Sequence, residues 1–407
     1  MLAASLLLST TLALSLRVSA TDITPPEPLP LGGYTERKDA KGELGAEKLW
    51  ARYLVIDSGG RKLVVCALDM LTIPESLVEK VQENNPDIDL FLCATHTHSA
   101  PDSQMLNSRM TFKVPGIAGF SQKWLDWYSD KISSGIQDAM AGSPVEAKGS
   151  KFALADVDAN RGRREGATPI KAALQWSSEA GSTLMSVYSA HATIFEAGSL
   201  KYSGDWPGAW AAKTNAPVLV GAIGDVSPAP SGNLPEEKVN SMVEKLQSSL
   251  ENSPKKVLRD QELFSEFCRR EIALGDSRPH PDFAKSFGAP DALAQLLVKR
   301  FAPPKAAVTA FTIGNRAFVG VPGEPSSALA RRIMNAGAKA GFESTTVVSH
   351  VNGWVGYILE ADDYDRGGYE ATLSFHGREL GDRLAAAAEQ ALIELRARRP
   401  SDSRAGN

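Results

Sequence analysis

Cysteine is scarce: Cys66, Cys93 and Cys268 are the only three in 407 residues. Three thiols make no disulfide framework, and no CxxC pair marks a metal knuckle. Cys66 and Cys93 lie in apolar runs, where a buried inert thiol is expected, and the sequence leaves open a single disulfide. Positive charge is not in excess either, since 44 Lys and Arg stand against 48 Asp and Glu for a net charge of −4. The basic stripe that grips a phosphate backbone is missing, which sets nucleic acid aside as a partner. No P-loop and no dinucleotide fingerprint is present, so nucleotide binding has no footing. Internal repeats and low-complexity stretches are absent. Beyond the N-terminus no apolar run approaches the roughly 20 residues that span a bilayer. What remains is an ordinary globular composition, 43% hydrophobic and 23% charged, with ample material for a core.

Leu2 to Leu16 is apolar apart from scattered Ser and Thr, and Val18-Ser19-Ala20 follows Arg17. A short apolar run ahead of a small-x-small site reads as a signal peptide over residues 1–20, cleaved after Ala20. The alternative is a misassigned start or a frayed helix, because no Lys or Arg precedes the run. A leader predicts a secreted or periplasmic protein. Residues 21–48, rich in Pro, Gly and charge, read as an irregular arm, and residues 399–407 as a disordered tail. Residues 49–398 show no convincing internal boundary.

Within that span, strands and helices interleave. Tyr53–Ile56 and Leu63–Leu68 form a hairpin about Gly59-Gly60, and a second is expected about Glu179–Ser182. Asp89–Ala94, Pro217–Ala222, Val308–Ile313, Arg316–Val319 and Thr345–Ser349 are further strands. Helical spacing marks Ser76–Asn84, Trp124–Met140, Glu236–Leu250, Pro290–Arg300, Ser326–Ala336 and Gly377–Arg398. The fold class is α/β, a mixed β-sheet core flanked by helices.

The chain has six histidines, and two of them form His96-Thr97-His98 directly after an apolar strand. In extended backbone, residues i and i+2 project from one face, so both rings can converge on one point. Such a pair suits zinc, and it also arises by accident on a surface. His191, in Ser189-Ala190-His191-Ala192-Thr193, again follows an apolar strand; a hydrogen-bonded core histidine is the plainer account of it. Gly224-Asp225-Val226-Ser227-Pro228 exposes Ser227 where strand becomes loop, or is simply an Asx turn. It is not the GxSxG elbow. Glu324, in Pro322-Gly323-Glu324-Pro325, stands near a helix start, where a carboxylate is favoured without any catalytic role. Tyr357, Tyr364 and Tyr369, taken singly, read as loop packing.

In order, Ala94-Thr95-His96-Thr97-His98-Ser99-Ala100-Pro101, Asn160-Arg161, His191-Ala192-Thr193, Ser203-Gly204-Asp205-Trp206-Pro207-Gly208, Gly224-Asp225-Val226-Ser227-Pro228, Pro322-Gly323-Glu324, Gly356-Tyr357 and Tyr369-Glu370 resemble the neutral (alkaline, non-lysosomal) ceramidase family. The likeness runs from about Val55 to Gly377. It implies a single large zinc hydrolase domain over 49–398, without the C-terminal immunoglobulin-like domain usual in that family. The implied activity is a zinc-dependent amidase that cleaves ceramide, or a related N-acyl lipid, to sphingosine and fatty acid. The implied Zn2+ ligands are His96, His191, Glu324 and Tyr357. The implied catalytic or substrate-contacting residues are His98, Ser227, Arg161 and Tyr369. Lipid would then be met by peripheral contact. Departures are local: Leu359–Glu370 keeps only the tyrosines, the final Glu and the acidic character of its family block, Ala229 replaces an Asn, and Trp206-Pro207-Gly208 replaces Asn-Lys-Gly. They leave two other readings open, a metallohydrolase of a different small amide or ester and a non-catalytic binding protein with a structural zinc.

Overall fold

Tyr53–Ile56 and Leu63–Leu68 are continuous apolar runs because both faces of their strands are buried. The computed structural model describes residues 14–45, 47–259, 262–288 and 290–399. The first sheet contains β1 (Ser15–Asp22), β2 (Trp50–Ser58), β3 (Arg61–Leu68), β4 (Ile88–Ala94) and the short β5 (Val145–Glu146). Their order is β4-β3-β2-β1-β5, parallel only between β3 and β4. Alternate side chains serve two cores. Tyr53, Val55, Val64, Cys66, Leu90 and Leu92 pack toward the helices Glu75–Asn84 and Gln122–Ala141. Leu54, Ile56, Leu63, Val65, Phe91 and Cys93 face the molecular interior.

Two more sheets meet that interior. One holds β6 (Lys151–Asp156), β8 (Ala172–Ser177), β9 (Thr183–Tyr188), β10 (Val218–Val220) and β12 (Lys255–Val257), ordered β10-β9-β8-β6-β12. Helices Asp205–Thr214 and Pro235–Glu251 cover its outer face. The other is β13-β14-β15-β17, built from β13 (Phe267–Ala273), β14 (Lys305–Ile313), β15 (Arg316–Gly320) and β17 (Ser344–Val348). Helices Ser327–Lys339 and Leu380–Ala397 lie against it. Phe91 meets Phe311 edge-on at 5.0 Å and Phe311 stacks on Phe318 at 4.8 Å, joining the first sheet to the third. Two short pairs complete the strands: β7 (Asn160–Gly162) antiparallel to β11 (Val226–Pro228), and β16 (Glu324–Pro325) parallel to β18 (Tyr357–Ile358). The fold is therefore α/β with mixed sheets flanked by helices, as expected. No helix among the described residues is long and apolar enough to cross a membrane. All three cysteines are free and buried.

The N-terminus corrects the expectation. Ser15–Asp22 pairs with β2 along its whole length, and Ser15 and Leu16 pair with β5 on the other side. Leu14, Leu16 and Val18 alternate with Ser15, Arg17 and Ser19, and the apolar set points into the inner core. That period of two makes a strand out of a leader-like composition. Cleavage after Ala20 would remove most of β1, and the arm begins only after Asp22. Residues 1–13 of the expected leader, and 400–407 of the expected tail, lie outside the described residues. β13 also went unanticipated, because Arg269, Arg270 and Glu271 break its apolar pattern at a sheet edge.

A chain beginning at Thr21 is expected to lose cooperative thermal unfolding, whereas one beginning at Leu14 keeps it. Equal melting of the two in circular dichroism would refute the placement of β1.

Candidate metal centre

The inner ends of several strands are tied together. Gly221 N–H donates to the Tyr188 carbonyl, Ser349 N–H to Val220, and Ala94 N–H to His350. The loops leaving those ends carry the candidate residues, the usual place for a site in an α/β sheet. His96 follows β4 with a φ of 59°, so the His96-Thr97-His98 backbone is not the extended one expected. The rings meet nonetheless, with Nε2 atoms 3.3 Å apart.

Backbone carbonyls fix the two inner imidazoles. His96 Nδ1 lies 2.8 Å from the Leu71 oxygen and His191 Nδ1 lies 2.9 Å from the Val226 oxygen. A carbonyl can only accept, so each Nδ1 carries the proton and each Nε2 lone pair points inward. Between them stands Glu324, whose Oε2 is 3.2 Å from His191 Nε2 and 3.7 Å from His96 Nε2. Its other oxygen accepts from the Trp354 indole at 3.4 Å. One ligand atom from each of His96, His191 and Glu324 lies within 4.8 Å of the others, and all three residues are buried. Two proton-fixed imidazoles and a carboxylate are a donor set that fits a divalent transition metal, and they can hold one.

Close backbone approach permits this. Gly224 N–H donates to Pro325 O at 2.9 Å, and a Cβ on Gly224 would come within 2.5 Å of the Glu324 carbonyl oxygen. Asp225 is no Asx turn: its Oδ1 accepts from the backbone N–H and the hydroxyl of Ser327 at the start of the Ser327–Lys339 helix. Register pairs Glu324 with Tyr357 on the β16–β18 pair, and Tyr357 Oη is 3.5 Å from His191 Nε2. Four of the anticipated residues thus share one cluster, with His98 beside them. Tyr369 stands at its rim, exposed, with its ring 5.9 Å from Tyr357.

Arg161 and Ser227 are register partners across β7 and β11, Arg161 exposed and Ser227 half-buried. The guanidinium that enters the cluster is that of Arg163, two residues further on. It lies 3.4 Å from His191 Nε2 and donates to Tyr357 Oη at 3.2 Å and to Gly224 O at 2.6 Å, with Glu370 3.3 Å away. Arg163 stands one residue beyond β7, and its nearness to the Asn160-Arg161 motif was the signal available in the sequence. Trp354 gave none. Trp206, part of a departure from the family block, donates its indole N–H to the His191 carbonyl at 3.0 Å. Arg37 of the N-terminal arm also anchors the site, donating to the carbonyls of His98, Gly32, Ala197, Glu196 and Ser199.

No protein-family model matches the chain, and no curated protein matches it. Among solved structures it is similar to neutral ceramidase from Pseudomonas aeruginosa, at 17% identity and a TM-score of 0.76, over 96% of this chain and 75% of that one. A ceramidase complexed with C2 gives 17% identity and 0.77, over 96% and 76%. The chain has the neutral ceramidase fold. That agrees with the resemblance of its motifs, and the unmatched quarter belongs to the ceramidase structures.

Within this ceramidase fold the histidines are held neutral. Burial, and after it the Arg163 cation, push His191 down to about 4. Burial lowers His96 and His98 as well. Burial opposes ionisation of Glu324, but the neighbouring His96 and His191 outweigh it, leaving its carboxyl well below the usual range. At neutral pH the set is neutral imidazoles and one carboxylate. The folded protein resists protonating His191 while the unfolded chain does not, so its contribution to stability is full above about pH 6.5 and lost as pH falls toward about 4. Metal-free protein is expected to lose on the order of 2–3 kcal/mol over that window through this group. Urea unfolding at several pH values checks it, and a His191→Gln variant with the same pH slope would count against the assignment.

Proposed function

We propose that this protein is a zinc-dependent amidase acting on the N-acyl bond of ceramide or a related N-acyl lipid. The buried His96, His191 and Glu324 group carries the reading, supported by Tyr357 beside it and by the ceramidase fold around it. His96, His191, Glu324 and Tyr357 would hold the zinc, which when bound supplies Lewis acidity and a water acidified to a pKa near about 7. Water adds to the amide carbon, and the C–N bond breaks to give carboxylic acid and free amine. His98 carries the proton in this reading, supported by its Nε2 at the cluster and by an Nδ1 that has no partner among the described residues. As general base it takes a proton from the attacking water and delivers one to the leaving nitrogen. Tyr369 at the rim and Arg163 at the wall would donate to the developing oxyanion, commonly the largest electrostatic contribution. Arg161 and Ser227 would meet the substrate beside them. Ser227 serves in this scheme to orient the substrate: among the described residues it has no imidazole hydrogen-bonded to its hydroxyl to make it a nucleophile.

One observation favours a second reading. The Arg163 guanidinium in the cluster suits a small amide or ester bearing an anionic group better than a neutral lipid.

Metal content of the purified protein and fatty-acid release from a fluorescent N-acyl-sphingosine, before and after chelation, test the proposal. About one zinc per chain with chelator-sensitive release is expected. Zinc without release would move the substrate to the second reading, and absence of metal binding would end both. His96→Ala should lose metal and activity together. Ser227→Ala should keep the metal, and Arg163→Ala should keep it while kcat falls by about 100-fold or more.

A further inference from the structure

A third histidine follows a strand at the same end of the molecule and has no part in the reaction just described. His350 comes two residues after β17 and is completely buried. Its backbone joins two of the turns that carry the cluster. The N–H donates to the Gly323 carbonyl at 3.0 Å, immediately before Glu324, and the carbonyl accepts from Ala94 N–H at 3.4 Å, just before His96. To do both it adopts a φ of 54°, a left-handed conformation that L residues enter at a cost of about 1 kcal/mol or more. Its ring lies flat on His96, with centroids 4.2 Å apart and planes 14° from parallel. Neither ring nitrogen has a hydrogen-bond partner among the described residues.

Resting on the metal-centre reading, we propose that His350 is a positioning residue, acting through the face of its ring on His96. A second ligand role for the same ion is excluded by geometry. Imidazole lone pairs lie in the ring plane, so those of two nearly parallel stacked rings run side by side and do not converge. With both nitrogens unpaired among the described residues, no hydrogen bond fixes the ring, and its side chain meets the centre by stacking on His96. His96 is also held through Nδ1 by the Leu71 carbonyl, and its ring meets those of His98 and His191 at steep angles. The His350 ring is the one stacked flat against it, and that broad contact restrains rotation of the ring about its own axis. It keeps Nε2 aimed toward Glu324 and His191. The strained backbone then has a use: it carries the ring to the far side of His96 while tying together the turns on which two ligands stand.

The experiment uses the full chain and metal ions alone as probes. His350→Gly removes the ring where glycine is at ease with the backbone, His350→Asn does so with a residue that tolerates the left-handed region, and His350→Phe keeps an aromatic face without nitrogens. Zn2+ and Co2+ affinities are read by chelator competition, and the visible spectrum of bound Co2+ reports the ligand geometry. Thermal midpoints of the metal-free variants show which of them fold. Loss of a partner that orients a ligand typically weakens metal binding by about 10–100-fold, so the Gly and Asn variants should fall in that range with an altered Co2+ band, and Phe should return to within about threefold of the parent. Gly or Asn variants with parental affinity and spectrum would overturn the proposal. A Phe variant as weak as the Gly variant would overturn it too, by showing that the nitrogens and not the face matter. If the Gly variant fails to fold, the comparison of Asn with Phe decides. A parent protein that binds neither ion would instead bring down the metal-centre reading itself.

Discussion

A carboxylate shut away from water governs how this molecule is assembled. Glu324 is almost fully buried, and a charge in that position persists only with partners that replace its hydration. Those partners come from different parts of the fold. His96 leaves the first sheet, His191 leaves the second, and Glu324 itself leaves the third, with the Trp354 indole closing the remaining oxygen. The three sheets must therefore bring their strand ends to one point. Gly224 permits the approach by lacking a Cβ where the Glu324 carbonyl passes, and Asp225 locks it by capping the helix that follows Glu324.

Much of this was legible because strand ends are legible. Apolar runs announced β3, β4, β9 and β10, and the residues just past β4 and β9 were the histidines that matter. The order of short motifs did the rest. What stayed hidden was decided by tertiary contacts or by ambiguous composition. Leu14, Leu16 and Val18 belong equally to a leader and to a strand, and only pairing with β2 separates the two. Arg161 and Arg163 stand two residues apart at the end of β7, and a motif match cannot say which guanidinium turns inward. His350 obeyed the rule that singled out His191, a histidine following an apolar strand, but it lay outside every motif. Trp206 looked like an erosion of a family block and proves to brace the His191 backbone.

The N-terminal arm shows the same dependence on distant parts of the chain. Arg37 has no carboxylate partner among the described residues, and its donors are shared among five carbonyls, one of them that of His98. Tyr34 adds a ring 4.7 Å from the His98 imidazole. A segment with little regular structure thus forms one wall of the centre, and loops that run over a rigid scaffold are where binding surfaces commonly arise.

Because the donor groups are drawn from separate sheets, no fragment of the chain contains the centre. The unfolded ensemble brings His96 and Glu324 together no more often than any two points far apart along a flexible polymer. An ion held there would recognise only the finished fold, and its binding free energy would be added whole to the free energy of folding. Metal occupancy would then report that assembly is complete, and the last step of folding would also be the step that creates the chemistry.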